Sequence, residues 1–179
     1  MWFARDAKPI CAVFLTHSSV RTCLVSLSGD ISARNELRLP PHVTNATEAI
    51  TIVRKCIERT LASAPKSVLG IGIAAAGMIN TETGTLNTVN LAPYFAGYPM
   101  KAELSRMFGV PVCVDQDARA LLVGDRWFGL GRGLNKFRGG LYGRGLGRGS
   151  VLERASLPRS SRSRWRSGSH YGPTWRQIM

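Results

Sequence analysis

Apolar residues in this chain come in short runs divided by polar turns, and the period of those runs changes along the sequence. From Ala12 to Leu39, "AVFLTHSSVRTCLVSLSGDISARNELRL" reads as successive β-strands, with Ser28-Gly29-Asp30 as a tight turn between an apolar run and an alternating one. Over residues 44–65 the period lengthens: Ala49, Ile52, Val53, Cys56, Ile57 and Leu61 fall near helical spacing. Thr44 or Thr47 is placed to cap that helix, and Pro65 stands just beyond its end. "SVLGIGIAAAG" (67–77) is nearly all apolar, the signature of a strand buried on both faces. "NTETG" then predicts a turn and "TLNTVNL" a strand returning from it. "MKAELSRMFG" predicts a short amphipathic helix closed by Gly109, "VPVCVD" a strand, and "ARALLVGDRWFG" a helix ending near Gly129. Alternation of this kind predicts an α/β domain with a mixed sheet and flanking helices.

After Phe137 the pattern dissolves. Arg, Gly and Ser make up 24 of the last 42 residues, and none of the nine basic residues there is lysine. The chain therefore divides into a patterned part, 1–137, and an Arg/Gly/Ser-rich tail, 138–179. Three readings of the tail stand open: a disordered basic segment, an RNA-binding Arg/Gly arm, or translation out of frame. In the last, Arg138 and Arg144 use CGN codons and Leu141 and Leu146 use CTN codons. Reading one nucleotide later then permits a Val-Val-Val-Tyr-Thr-Gly type strand and turn.

Charge changes the picture only in part. The formal net charge of +13 would ordinarily point to an anionic partner such as nucleic acid. Residues 1–137, however, hold 15 Lys+Arg against 10 Asp+Glu, and residues 138–179 hold 9 against 1, so most of the excess sits in the last quarter. The length of 179 residues and the 44% hydrophobic content suit one soluble domain with a real core. No apolar run approaches the roughly 20 residues that cross a bilayer, and no leader pattern follows Met1, so the expected location is cytoplasmic. Cys11, Cys23, Cys56 and Cys113 are far apart and lie in or beside apolar stretches, which suggests small hydrophobes, not a disulfide framework or a metal site.

The candidate chemistry lies in "VCVDQDARALLVGDRWFG" (112–129), where Asp115 and Asp117 end an apolar run just before a helix. A carboxylate there can act as an acid or base at a strand mouth, or Asp117 can simply cap a helix beginning at Ala118. Three segments decide how the pair is read: "VLGIGIAAAGMINTETGTL", "NLAPYFAGYPMKAELSRMFGVPVCVDQDARA" and "LLVGDRWFGLGRGLNKF". In that order and spacing they resemble the ROK family of repressors, uncharacterised open reading frames and sugar kinases, over about residues 11–137.

The resemblance implies the first lobe of an actin-like, ribonuclease-H-like fold, with a sugar held between two such lobes. It makes Asp117 the catalytic base and a sugar-hydroxyl acceptor, with Gly77, Asn90 and Gln116 also lining the sugar site. The expected ligand is a hexose or amino-sugar effector, and a homo-oligomer is compatible with the intact protein. Where the family usually has Asn-Asp this chain has Gln116-Asp117, and Arg119 stands where a second Asn is usual.

Family kinases also carry an Asp-x-Gly-Gly-Thr-Lys type hairpin that approaches ATP. Here "FLTHSSVR" (14–21) stands in its place, with Phe14 for the acidic residue and Thr16-His17 for the glycine pair. His17 reads as a surface residue of that hairpin. The Gly-Thr-Gly turn, the Glu-x-x-His clamp and the Cys-rich zinc loop of the second lobe have no counterpart in the sequence. These departures lead to the expectation of a truncated lobe, closer to the repressors than to the kinases, sugar-sensing and inactive as it stands. No cofactor is expected, ATP and Mg²⁺ entering only if the kinase alternative holds, and DNA contact would need a helix-turn-helix that this chain does not carry.

Overall fold

In the computed structural model, residues 7–89 and 91–129 are described in full, together with the backbone of residues 136–142 and 146–152. Strands β1 (Ile10–Leu15), β2 (Ser19–Val25) and β3 (Ile31–Arg38) form an antiparallel run. The predicted turn between β2 and β3 extends over Ser26–Asp30, where Ser26 donates to the Asp30 carbonyl at 2.9 Å and Gly29 takes φ +95°. Helix α1 (Ala46–Leu61) follows, then β4 (Ile71–Ala75), a hairpin of β5 (Met78–Asn80) and β6 (Thr85–Thr88), and a 3-10 turn, Pro93–Phe95. Helix α2 (Met100–Phe108), strand β7 (Val112–Gln116) and helix α3 (Asp117–Phe128) complete the patterned part. The α1 cap is Asn45, whose side chain accepts from the Glu48 amide at 2.8 Å; neither Thr44 nor Thr47 takes that place. Gly109 ends α2 in the left-handed region at φ +63°, as the sequence predicts.

The main sheet runs β3-β2-β1-β4-β7, with β4 parallel to both β1 and β7. Side-chain alternation sorts its two faces. Cys11, Val13 and Leu15 of β1, Ile71, Ile73 and Ala75 of β4, and Val112 and Val114 of β7 are buried in one core with residues of α1 and α2. The intervening Ala12, Phe14, Gly72 and Ala74 remain partly exposed. β4 is therefore not buried on both faces: glycine and alanine leave its second side thinly covered. Cys113 likewise departs from expectation, being exposed, while Cys11, Cys23 and Cys56 are buried. Burial pushes the Cys11 thiol up to about 12, with Cys23 and Cys56 as smaller contributors.

A buried polar network ties α1 to the antiparallel part of the sheet. The Thr22 and Thr60 hydroxyls lie 2.6 Å apart, and Asn35 Nδ2 donates to Thr60 Oγ1 at 2.9 Å. Thr22 also donates to the Cys56 carbonyl at 3.2 Å. Thr60→Val keeps the shape but strips both partners of a hydrogen bond. It is expected to cost about 1–3 kcal/mol, seen as a lower urea midpoint with an unchanged slope.

The composition break at Arg138 does not end the secondary structure. β8 (Lys136–Tyr142) and β9 (Leu146–Leu152) pair antiparallel beside α3, from Lys136↔Leu152 to Tyr142↔Leu146. Strand backbone is thus found on both sides of Phe137. The remaining tail, and with it the basic-arm reading, lies outside the described residues.

Candidate functional site

Parallel pairing brings three strand ends to one edge of the sheet. Leu15 of β1 aligns with Ala75 of β4, and Ala75 aligns with Gln116 of β7. In open α/β sheets the carboxyl ends of strands face the crevice where ligands sit. At this edge Gly77 and Gln116 come together in a crevice of ≈ 290 Å³, walled also by Met78, Ile79 and Thr81 and closed by Asp115 and Arg119. Of the four site residues expected from sequence, this crevice unites two. Asn90 lies outside the described residues.

Asp117 faces elsewhere. It lines a larger cavity of ≈ 800 Å³ over the thinly covered side of the sheet, with Phe14, Ala74, Cys113, Leu121 and Phe128 among its neighbours. Asp115 borders both spaces and so joins them. The helix begins at Asp117 itself, one residue before the predicted start, with Gln116 in the cap position making no side-chain cap bond. Asp117 Oδ1 accepts from the adjacent Ala118 amide at 2.7 Å. Its role as a cap is thus limited to one neighbouring N–H, and the carboxyl stays directed at the cavity.

Burial raises the Asp117 carboxyl above the ordinary aspartate value of 3.8, outweighing the Ala118 amide and its own amide, which lower it. The folded chain therefore holds this proton more tightly than the unfolded one. Its stabilising contribution is complete below about 3.8 and is lost as pH rises through the folded value. Asp117→Asn is expected to raise the thermal midpoint at pH 7 relative to the parent, with the gap closing in acid. A gap that stays constant from pH 3 to pH 7 would show that ionisation carries no cost here.

Asp115, one of the two candidate carboxylates, and Arg119, at the position where a second Asn is usual, complete the crevice. Arg119 Nε lies 3.2 Å from Asp115 Oδ2, an ion pair between the end of β7 and the first turn of α3. Asp115 Oδ1 accepts from the Gln116 amide at 2.8 Å. The i,i+4 spacing of Asp115 and Arg119 was visible in the sequence; that the pair faces Gly77 required the β4–β7 register.

Gly77 takes φ +120°, and a Cβ there would overlap the Thr88 carbonyl oxygen. Close backbone packing against the strand-end turn therefore requires glycine whether or not a ligand is bound. The β1–β2 turn lies at the same edge of the sheet. Thr16 Oγ1 accepts from the amides of Ser18, at 3.3 Å, and Ser19, at 3.0 Å. Thr16 N donates to the Ser19 carbonyl at 2.9 Å, closing the turn on itself. His17 is half-buried within it. Among the described residues no three His, Cys, Asp or Glu side chains gather in a metal-binding group, and no helix is long and apolar enough to cross a membrane.

Known proteins with similar sequence and structure fall into two kinds. A beta-glucoside kinase of Listeria innocua is 31% identical over 97 residues, 54% of this chain and 33% of its own. A xylose repressor of Caldicellulosiruptor bescii is 34% identical over 102 residues, 54% of this chain and 25% of its own. The chain thus spans a quarter to a third of these curated relatives. Among solved structures, a ROK family transcriptional regulator, a homologue of the E. coli MLC protein, superposes with a TM-score of 0.74 at 21% identity, covering 82% of this chain and 37% of its own. A ROK family glucokinase from Streptomyces griseus, in complex with glucose and AMPPNP, gives 0.72 at 23% identity, covering 80% and 44%. These likenesses establish the actin-like fold of a first lobe. The ROK family description matches residues 12–157, twenty residues beyond Phe137, and with the fold now in place the chain belongs to the ROK family.

Proposed function

We propose that this chain is the sugar-sensing lobe of a cytoplasmic transcriptional repressor of carbohydrate metabolism, and that it transfers no phosphoryl group as it stands. The observation that carries this reading is the β1–β2 turn. Gripping a nucleotide's phosphates requires free backbone amides, and often a metal-holding carboxylate, at a close-packed turn. Here the Ser18 and Ser19 amides are taken by the Thr16 hydroxyl, and Phe14 offers a ring to the cavity. The sugar side of the reading rests on the strand-end crevice with Gly77 and Gln116 and on Asp117 beside it. Family members named for glucose and xylose supply the ligand class, a hexose or pentose. Operator binding and any assembly into homo-oligomers belong, in this reading, to parts of an intact protein beyond the described residues.

A second reading, an ATP-dependent sugar kinase lobe, is favoured by one feature. Asp117 is a carboxylate at a strand end with its proton affinity raised by burial, which suits a general base for a sugar hydroxyl. Calorimetric titration with glucose and xylose, beside a coupled phosphorylation assay using glucose and N-acetylmannosamine, separates the two. The repressor reading expects sugar binding without ATP consumption. Turnover that disappears in Asp117→Ala would overturn it in favour of the kinase.

A further inference from the structure

We infer that Arg119 makes the strand-end crevice selective for a sugar bearing an anionic group, a phosphate or a carboxylate. The inference rests on the sugar-binding reading above and specifies its ligand. A guanidinium carries five N–H donors arranged in two usable edges. Arg119 spends Nε on Asp115 Oδ2 at 3.2 Å, and among the described residues it has no other ion-pair partner. The edge formed by its two Nη groups is left to donate. Asp115 in turn has both oxygens engaged, one by Arg119 and one by the Gln116 amide.

Arg119 is the one cationic side chain among the described residues lining the crevice, and its Nη edge is the charged donor available there. The carboxylate behind the guanidinium holds the fork in place and offsets part of the charge. A neutral hydroxyl gains little from a cation, whereas two oxygens of a phosphate or carboxylate match the Nη edge in bidentate fashion. Asp115 is accordingly a positioning residue for Arg119. The crevice, at ≈ 290 Å³, is at the small end of the ~300–1,000 Å³ range of ligand pockets, a size for one sugar ring and not a nucleotide. The Arg119 side chain is 57% exposed, so solvent screens the contact and the selectivity expected is about tenfold, well short of what a buried pair would give.

The test is calorimetric titration of the full 179-residue chain with glucose, glucose 6-phosphate, gluconate and inorganic phosphate. Glucose 6-phosphate or gluconate is expected to bind about tenfold more tightly than glucose, and the stronger of the two identifies which anion the fork fits. Arg119→Asn is expected to remove that preference, bringing the affinities for glucose, glucose 6-phosphate and gluconate together. Arg119→Lys should retain only part of it, because an ammonium lacks the fork. Asp115→Asn should weaken the preference and Asp115→Glu restore some of it, a pattern that a purely structural role would not produce. Equal affinity for glucose and both acidic sugars overturns this inference alone and leaves the sugar reading standing. A preference that survives in Arg119→Asn also overturns it. Inorganic phosphate bound as tightly as glucose 6-phosphate would show an anion site with no sugar recognition and overturn it likewise. Absence of binding by every sugar, glucose included, removes the sugar reading and this inference with it.

Discussion

Gly77→Ala is expected to destabilise the chain by about 3 kcal/mol, among the larger effects of a single methyl group. Two costs combine. The residue sits at φ +120°, where an L side chain is strained, and the new Cβ would meet the Thr88 carbonyl, which is backbone and cannot rotate away. Relief would require the turn into β5 to part from the end of β6, and both the β5–β6 hairpin and the crevice depend on that seam. Gly72→Ala provides the contrast. A Cβ at Gly72 meets nothing within 4 Å, so this substitution within β4, just before the turn, is expected to change stability by less than about 0.5 kcal/mol. Urea unfolding of the two variants decides the matter. Equal midpoints would mean that the turn after β4 yields easily and that Gly77 is not fixed by backbone packing.

Phe95→Ala is expected to cost about 3–5 kcal/mol. Phe95 is fully buried in the 3-10 turn between β6 and α2. Its ring centroid lies 5.0 Å from that of Tyr94 and 5.9 Å from that of Tyr98, the latter edge-on. Aromatic pairs of this geometry add to the area buried, so truncation forfeits packing, ring contacts and filled volume together. Phe95→Leu should lose less than about 1.5 kcal/mol if the surroundings close around it. A loss below about 1 kcal/mol for the alanine variant, read from the urea midpoint, would show that the segment is only loosely attached.

Much of this architecture was legible because the strands and helices of the patterned part carry their own periodicity. The α2 stop at Gly109, the turn before β3 and the strand–helix junction at Gln116–Asp117 follow from residue type and spacing alone. The α1 cap was misplaced by one or two residues, since Thr44, Asn45 and Thr47 are all residue types that cap helices and spacing alone does not choose among them. β4 read as doubly buried because glycine and alanine count as apolar, although on that side Gly72 and Ala74 stay partly exposed to a cavity. The site divided in the same way. Gly77, Gln116 and Asp117 could be named from the resemblance, but which of them share a space depends on which way each side chain leaves β7 or α3. Gln116 and Asp117 are adjacent in sequence and open onto different cavities. The sequence marks Arg119 as a departure from the family pattern, but that it shares a crevice with Gly77 depends on the β4–β7 register, which no local pattern encodes.

The order of the sheet sets an order of assembly. β1, β2 and β3 are neighbours in both sequence and space, so their pairing closes short loops. β7 must find β4 across a hairpin, a 3-10 turn and a helix, and distant parallel partners join slowly. Asp115 and Gln116 ride on that distant-pairing strand, so the crevice they line is expected to form late in folding. A sugar gripped between Gln116 and Gly77 would span the same junction and act as a clasp on it, slowing the first step by which the lobe comes apart.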